Sequence, residues 1–228
     1  LSIIIITKNE EKLLPKLLKS IKNQIFKDYE IIISDAGSID KTKKIAKEFG
    51  CKIVKGGIPA VGRNNGFKKS KGDFLLFLDA DTYMPNKMFL KNAMSKLKKA
   101  SIMGCVLKPD SKLMLDHVLH GLVNIVLLGM QNIRAMCGGA CIFVRSSVFK
   151  KAKGFNEKIL LGEDHYFVKR ASKYGKFKFI NNPFLMISIS RLEKEGRLKI
   201  IIRYISHALY VLFTGKEVTK KGKILFQD

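Results

Sequence analysis

Acidic residues are scarce in this chain. Its 228 residues hold 19 Asp+Glu against 43 Lys+Arg, a formal net charge of +24. Such an excess points to an anionic partner: nucleic acid, a phosphorylated substrate or an acidic membrane surface. Arginine is scarce as well, since only seven of the basic residues are Arg. Specific base reading and bidentate phosphate clamps favour Arg, so a Lys-dominated charge argues for a surface field. Helix-turn-helix, RNA-binding aromatic and zinc-finger patterns are missing, and nucleic acid is not an expected partner. Cysteine is limited to Cys51, Cys105, Cys137 and Cys141, with no Cys-x-x-Cys and no His at zinc spacing. Reduced thiols in a cytoplasmic protein are expected.

Long hydrophobic runs are absent too. No unbroken apolar stretch reaches the roughly 18 residues of a membrane span. Ile3 to Ile6 is too short for a signal peptide and runs at once into Thr7-Lys8-Asn9-Glu10. The loop Lys8-Asn9-Glu10-Glu11 has no glycine, which excludes the G-x-G-x-x-G dinucleotide fingerprint after a first strand. No internal repeat or low-complexity linker breaks the chain, so one large domain, or one with an appendage, is expected.

What is present is alternation. Ser2 to Ile6, Glu30 to Ile33, Cys51 to Val54 and Phe74 to Leu78 read as strands. Between them Glu11 to Asn23, Thr42 to Phe49 and Val61 to Ser70 read as helices, with Gly50 as a C-cap. This order predicts an α/β fold with a mostly parallel sheet flanked by helices. Beyond it, Ile102 to Leu107 and Ala140 to Val144 read as strands. Glu163 to Tyr174 reads as a helix and Phe177 to Ile180 as a short strand.

Asp79-Ala80-Asp81 closes Phe74 to Leu78, the most apolar short run in the chain. Two carboxylates just past a buried strand stand where open α/β sheets bind ligands. Close like charges are unfavourable unless a cation or donor sits between them, and oxygen ligands suit Mg2+ or Mn2+. The plainer alternative is an Asp-rich turn capping the next helix. Thr7 to Glu10 and Asp35 to Ser38 end their own strands, which sets three polar clusters on one sheet edge.

These residues together resemble glycosyltransferase family 2. The motifs are Ile3 to Glu10, Asp35-Ala-Gly-Ser-Ile-Asp40-Lys-Thr42, Gly62-Arg63-Asn64-Asn65-Gly66, Asp79-Ala-Asp81, Gly138-Gly139-Ala140 and the acidic pair Glu163-Asp164. The resemblance covers roughly residues 1–191. It implies a GT-A fold and an inverting, metal-assisted transfer from a nucleotide-diphosphate sugar. Thr7, Asn9, Glu10 and Asp35 would hold base and ribose, and Arg63 would contact the nucleotide. Asp79 would touch ribose or diphosphate, Asp81 would ligate the metal and Asp164 would be the general base. Against that last role stands ordinary helix-dipole complementation in a first turn. Some members carry a further His ligand after the last core strand; Met186 to Arg191 has none. Arg191 would instead contact the diphosphate, or be a solvated residue at a helix start. The expected division is a nucleotide-binding half, 1–100, an acceptor half, 101–191, and an amphipathic segment, 192–228.

Two helical stretches carry narrow polar stripes. Lys199, Arg203 and His207 are spaced by four within Leu198 to Phe213. Asp116, His120 and Asn124 repeat that spacing within Leu113 to Met130. The apolar arcs are wider than the face of an ordinary surface helix. Either the helices are buried in a core or dimer, or they lie in a membrane interface with lysines at anionic headgroups. The expectation is therefore an enzyme peripheral to the cytoplasmic face of a membrane, acting on a lipid-linked or membrane-proximal acceptor. Its rivals are a nucleotidyltransferase, which lacks its Gly-rich loop here, and a non-catalytic basic module binding RNA or anionic lipid.

Overall fold

The structure, a computed structural model, describes residues 1–200 together with 202, 203, 206, 210, 218 and 219. The first part alternates as expected: β1 (Ser2–Thr7), α1 (Leu14–Lys22), β2 (Glu30–Asp35), α2 (Thr42–Glu48), β3 (Lys52–Lys55), α3 (Pro59–Lys68) and β4 (Phe74–Asp79). Then follow β5 (Thr82–Tyr83), α4 (Phe89–Leu97), β6 (Ile102–Asp110), α5 (Met114–Met130), β7 (Cys141–Arg145) and α6 (Ser146–Lys151). The described part ends with β8 (Ile159–Leu161), α7 (Glu163–Ala171), β9 (Phe177–Ser188), α8 (Ser190–Glu195) and β10 (Val218–Thr219).

One sheet runs in the order β3-β2-β1-β4-β7-β6-β9-β5, and β10 pairs with β8 in a second, two-stranded one. β1 is parallel to β2 and β4, and β2 to β3. β7 inserts antiparallel between β4 and β6, β9 is again parallel to β6, and β5 is antiparallel to β9. The sheet is thus mixed but mostly parallel. Its central strands are runs of β-branched and large apolar residues because both faces are covered. On one face Leu14, Leu17, Leu18 and Ile21 of α1 and Phe89 and Leu90 of α4 pack on Ile3, Ile5 and Leu78. On the other, Ala60 of α3, Phe149 of α6 and Phe167 of α7 pack on Ile4 and Phe77.

Three differences from the sequence reading have local causes. The two-residue β5 carried too little pattern to be read, whereas α4 went unread although Phe89, Leu90, Ala93 and Leu97 lie buried at helical spacing. β9 is far longer than Phe177 to Ile180, because Asn181-Asn182-Pro183 reads as a strand end. In fact the ladder jumps there, from Cys105 paired with Ile180 to Leu107 paired with Leu185. Pro183 sits inside that irregularity, where no ladder N–H is needed. Finally, the polar stripe of α5 faces the protein: Asp116 is fully buried, and Asn124 bonds the Leu107 backbone. The amphipathic helix expected over Leu198 to Phe213 runs into residues outside the described ones.

Candidate active site

The parallel register sets the three polar clusters side by side. Thr7 lies opposite Asp35, and Ile6 opposite both Ser34 and Asp79. The loops after β1 and β2 are then knitted together. Asn9, at a left-handed φ of 57°, donates its amide to Ser38 Oγ (2.9 Å) and accepts the amide of Ile39 on Oδ1 (3.0 Å). Asn tolerates that conformation better than most residues. The Glu10 amide reaches Thr42 Oγ1 at 2.7 Å.

Asp35 is the centre of this weave. Its Oδ1 accepts the amides of Gly37 (3.1 Å) and Ser38 (2.9 Å), and its Oδ2 the hydroxyls of Thr7 (3.1 Å) and Ser38 (2.5 Å). A carboxylate offers about four lone-pair sites, so all are engaged. The sequence reading gave Asp35 and Thr7 to a base, yet here they first fix the loop that would receive it. Ser38 stood in the same polar cluster without a role of its own; the Asp-x-x-Ser turn spacing was the signal for its bond to Asp35.

Arg63 lies in α3 and is almost wholly buried. Its Nη2 meets Asp79 Oδ1 at 3.0 Å and its Nη1 meets Glu163 Oε1 at 2.5 Å, while Phe155 covers the guanidinium. Glu163 heads α7 after Gly162, whose φ of 79° favours glycine. Burial pushes the Glu163 carboxyl up, and Asp164 adds to this, against the pull of Arg63. Arg63 therefore ties the strand that ends in Asp79 to the helix that begins the acidic pair. The sequence gave Glu163 no separate role; this strut is its role in the fold.

Asp164 accepts the amide of Gly139 on Oδ2 at 2.6 Å and the amide of His165 on Oδ1 at 2.7 Å. A side chain at Gly139 would collide with the Arg63 guanidinium, which its two ion pairs hold in place, so the chain passes this point as bare backbone. Asp81 differs from all of these. Its Oδ1 is buried with no hydrogen-bond partner. Burial first, then the charges of Asp79 and Glu10, push its carboxyl up to about 7, and Arg191 opposes them. Glu10 is also raised, by burial first, with Lys194 opposing and Asp79 and Asp40 adding. Glu10, Asp79 and Asp81 thus form an acidic cluster faced by the α8 bases Arg191 and Lys194. Arg191 also pairs with Glu195 at 2.8 Å.

Does this cluster suit a divalent cation? Among the described residues, no three His, Cys, Asp or Glu side chains converge as a metal cage. Mg2+ and Mn2+ need none, since they are usually held by one or two carboxylates with phosphate oxygens completing the shell. A buried carboxylate oxygen without a donor, in a field of like charge, suits a cation there. The donor set fits.

The same sheet is seen in solved structures. A mannosyltransferase of Pyrobaculum calidifontis, in complex with GDP-Man and Mn2+, matches over 95% of this chain and 65% of its own, with a TM-score of 0.75 at 18% identity. Residues 1–349 of TarS from S. aureus, in complex with UDP-GlcNAc, match over 82% of this chain and 58% of theirs, with a TM-score of 0.65 at 22% identity. The architecture is the GT-A fold of glycosyltransferases. The chain belongs to glycosyl transferase family 2, whose profile matches residues 2–151. A Campylobacter jejuni relative, GalNAc(5)-diNAcBac-PP-undecaprenol beta-1,3-glucosyltransferase, is 43% identical over 91 residues, 36% of this chain and 29% of that enzyme. The chain spans less than half the length of the curated relatives it matches.

Proposed function

We propose that this chain transfers a sugar, with inversion, from a nucleotide-diphosphate donor to a lipid-linked or membrane-proximal acceptor. The observation that carries the reading is Asp81: a buried, unpartnered carboxylate oxygen beside Asp79 and Glu10, at the carboxyl edge of the parallel strands. That edge is where an α/β sheet receives a nucleotide. Membership of the family and the donor complexes of two structural neighbours support the nucleotide sugar, and the name of the C. jejuni relative supports a lipid-linked acceptor.

Each residue then has a task. Thr7, Asn9 and Asp35 hold the loop against which base and ribose rest. Glu10 borders the ribose, and Asp79, steadied by Arg63, faces ribose or diphosphate. Asp81 would hold Mg2+ or Mn2+ with the phosphate oxygens. The bound cation would supply charge neutralisation to the leaving diphosphate. Arg191 and Lys194 on α8 add positive charge on the same side. Asp164, held by two backbone amides, takes the proton of an acceptor hydroxyl as its oxygen bonds to the sugar carbon and the diphosphate departs. With a phosphate acceptor no base is needed, and Asp164 only positions. The free thiols of all four cysteines accord with a cytoplasmic site of action.

The test is a hydrolysis screen of the protein against uridine and guanosine diphosphate sugars, with Mn2+, Mg2+ or chelator. Metal-dependent release of a nucleoside diphosphate from at least one donor is expected. A basic module without a site, or a nucleotidyltransferase, would release none.

A further inference from the structure

Helix α5 is built inside out. A surface helix normally turns its apolar stripe to the core and its polar face to water. Here the inward side carries the polar groups. Asp116, with no exposed surface, takes a bidentate pair from Arg197 (2.7 and 3.0 Å) and the hydroxyl of Ser111 (2.6 Å). Four residues on, His120 Nδ1 lies 2.9 Å from the Asp116 carbonyl. Asn124 donates to the Leu107 carbonyl (2.8 Å) and accepts the Leu107 amide (3.3 Å). The outward side is Met114, Leu115, Leu122, Val123, Ile125 and Val126, all exposed, Met114 by 75% and Ile125 by 66%. The Asp116–Arg197 pair brings a second apolar stretch alongside, in which Leu198 and Ile202 are exposed as well. An exposed apolar surface of this kind on a folded protein marks an interaction site.

Charge decides what covers it. From Ser111 to Ala135 the one acid is Asp116, and it is buried and paired. Within that span the charged residues left are basic, exposed Lys112 before the helix and partly exposed Arg134 after it, and just outside it the exposed Asp110 is paired with Lys16. A second copy of this chain would press a +24 molecule against its like. An anionic lipid surface satisfies both terms, taking the apolar face into its acyl boundary and the bases at its headgroups. At about 1.5 Å per residue the helix is some 25 Å long, suited to lying in the plane of the interface. Among the described residues no helix is long and apolar enough to cross a membrane.

We propose that α5 is a docking helix that lies in the headgroup–acyl boundary of an anionic bilayer, with its Leu122–Val126 side inserted. This deepens the acceptor half of the proposed function and is independent of its donor half. The helix ends at Met130, and the chain then leads to Gly139, whose amide holds Asp164. Docking would therefore bring the end of the site nearest Asp164 toward the surface where a lipid-linked acceptor resides.

The experiment is co-sedimentation of the full chain with vesicles of phosphatidylcholine alone or mixed with phosphatidylglycerol, at low and high salt. Wild type should partition onto the anionic vesicles, more weakly in high salt, with a residual apolar component that salt does not remove. The double variant Leu122→Glu/Val126→Glu should lower partitioning at least about tenfold, the scale of one buried leucine side chain. Its melting temperature and its binding of a nucleoside diphosphate with Mn2+ should be unchanged. Should that variant fail to fold, Met114→Gln/Leu115→Gln makes the same test at the other end of the face. The proposal is overturned if wild type ignores anionic vesicles at low salt, or if the folded variant binds them as well as wild type. A wild-type dimer in light scattering that the variant splits, without vesicle binding, also overturns it and assigns the face to a second copy. Nucleotide binding in the same samples keeps a failure of docking distinct from a failure of the donor reading.

Discussion

Arg63 shows how one buried residue can join two halves of a sequence. Its partners Asp79 and Glu163 lie 16 and 100 residues away. Sequence spacing along one helix could not show that Arg63 points inward, whereas Asp79 and Asp81 were legible because a strand end fixes where its next residues go. Removing the guanidinium strands Glu163 and Asp79 without their counter-ion. Arg63→Met should cost about 3–5 kcal/mol of stability, the scale of breaking a buried ion pair from one side. Lysine should not rescue it, since an ammonium cannot reproduce the two-pronged fork. Urea unfolding measures both, and a cost under about 1 kcal/mol would refute the strut. Asp164→Asn keeps the shape and removes the basicity. Transfer to a hydroxyl acceptor should fall by about 10²–10⁴ while nucleoside diphosphate affinity holds. Unchanged turnover would leave Asp164 with only its bonds to the Gly139 and His165 amides.

At the level of elements, the loops after β1 and β2 behave as one unit. Asp35→Ala would leave buried hydroxyl and amide donors unsatisfied, each at about 1–3 kcal/mol. The variant should therefore lose at least about 2 kcal/mol of stability, and its defect with donor should appear in KM more than in kcat. A fall confined to kcat would contradict a holding role. These loops were legible as polar strand ends; their mutual bonding was not, because it depends on the β1–β2 register. The strand β9 was cut short in the reading by Pro183, since a ladder irregularity leaves no periodic trace. The α5 stripe was visible, but its direction was not, because periodicity is silent on which side faces the protein.

The Asp116–Arg197 pair ties α5 to the segment that follows α8. Arg197 first, with Ser111, holds the Asp116 carboxyl down at about 2, below its usual 3.8. A carboxyl depressed in the fold stabilises above its unfolded value and loses that contribution as pH falls through the folded one. The margin of wild type over Asp116→Asn should thus be full above pH about 4 and shrink toward pH about 2. Denaturation midpoints of the two proteins across that range check this, and a margin independent of pH would place its origin outside the ion pair.

The whole molecule combines an acidic sheet edge with a basic excess. The +24 charge is spread mostly over lysines, while Glu10, Asp79 and Asp81 gather at one edge of the sheet. The proposed cation and phosphorylated ligand would meet that edge, and the proposed lipid surface the apolar face of α5. Fold class and the family's motifs were legible because strand and helix periods are local. The joining of β6, β7 and β9 into the same sheet was not, since β7 runs against its neighbours. The central claim is that Asp81 makes this edge a metal-assisted nucleotide site. Calorimetric titration of a nucleoside diphosphate into wild type and Asp81→Ala, each with Mn2+ and with chelator, tests it most directly. Wild type should bind with Mn2+ and lose at least about tenfold in affinity on chelation, and Asp81→Ala should bind equally weakly in both conditions while melting as wild type does. Equal binding by wild type with and without metal, or a metal effect that survives in Asp81→Ala, would contradict it.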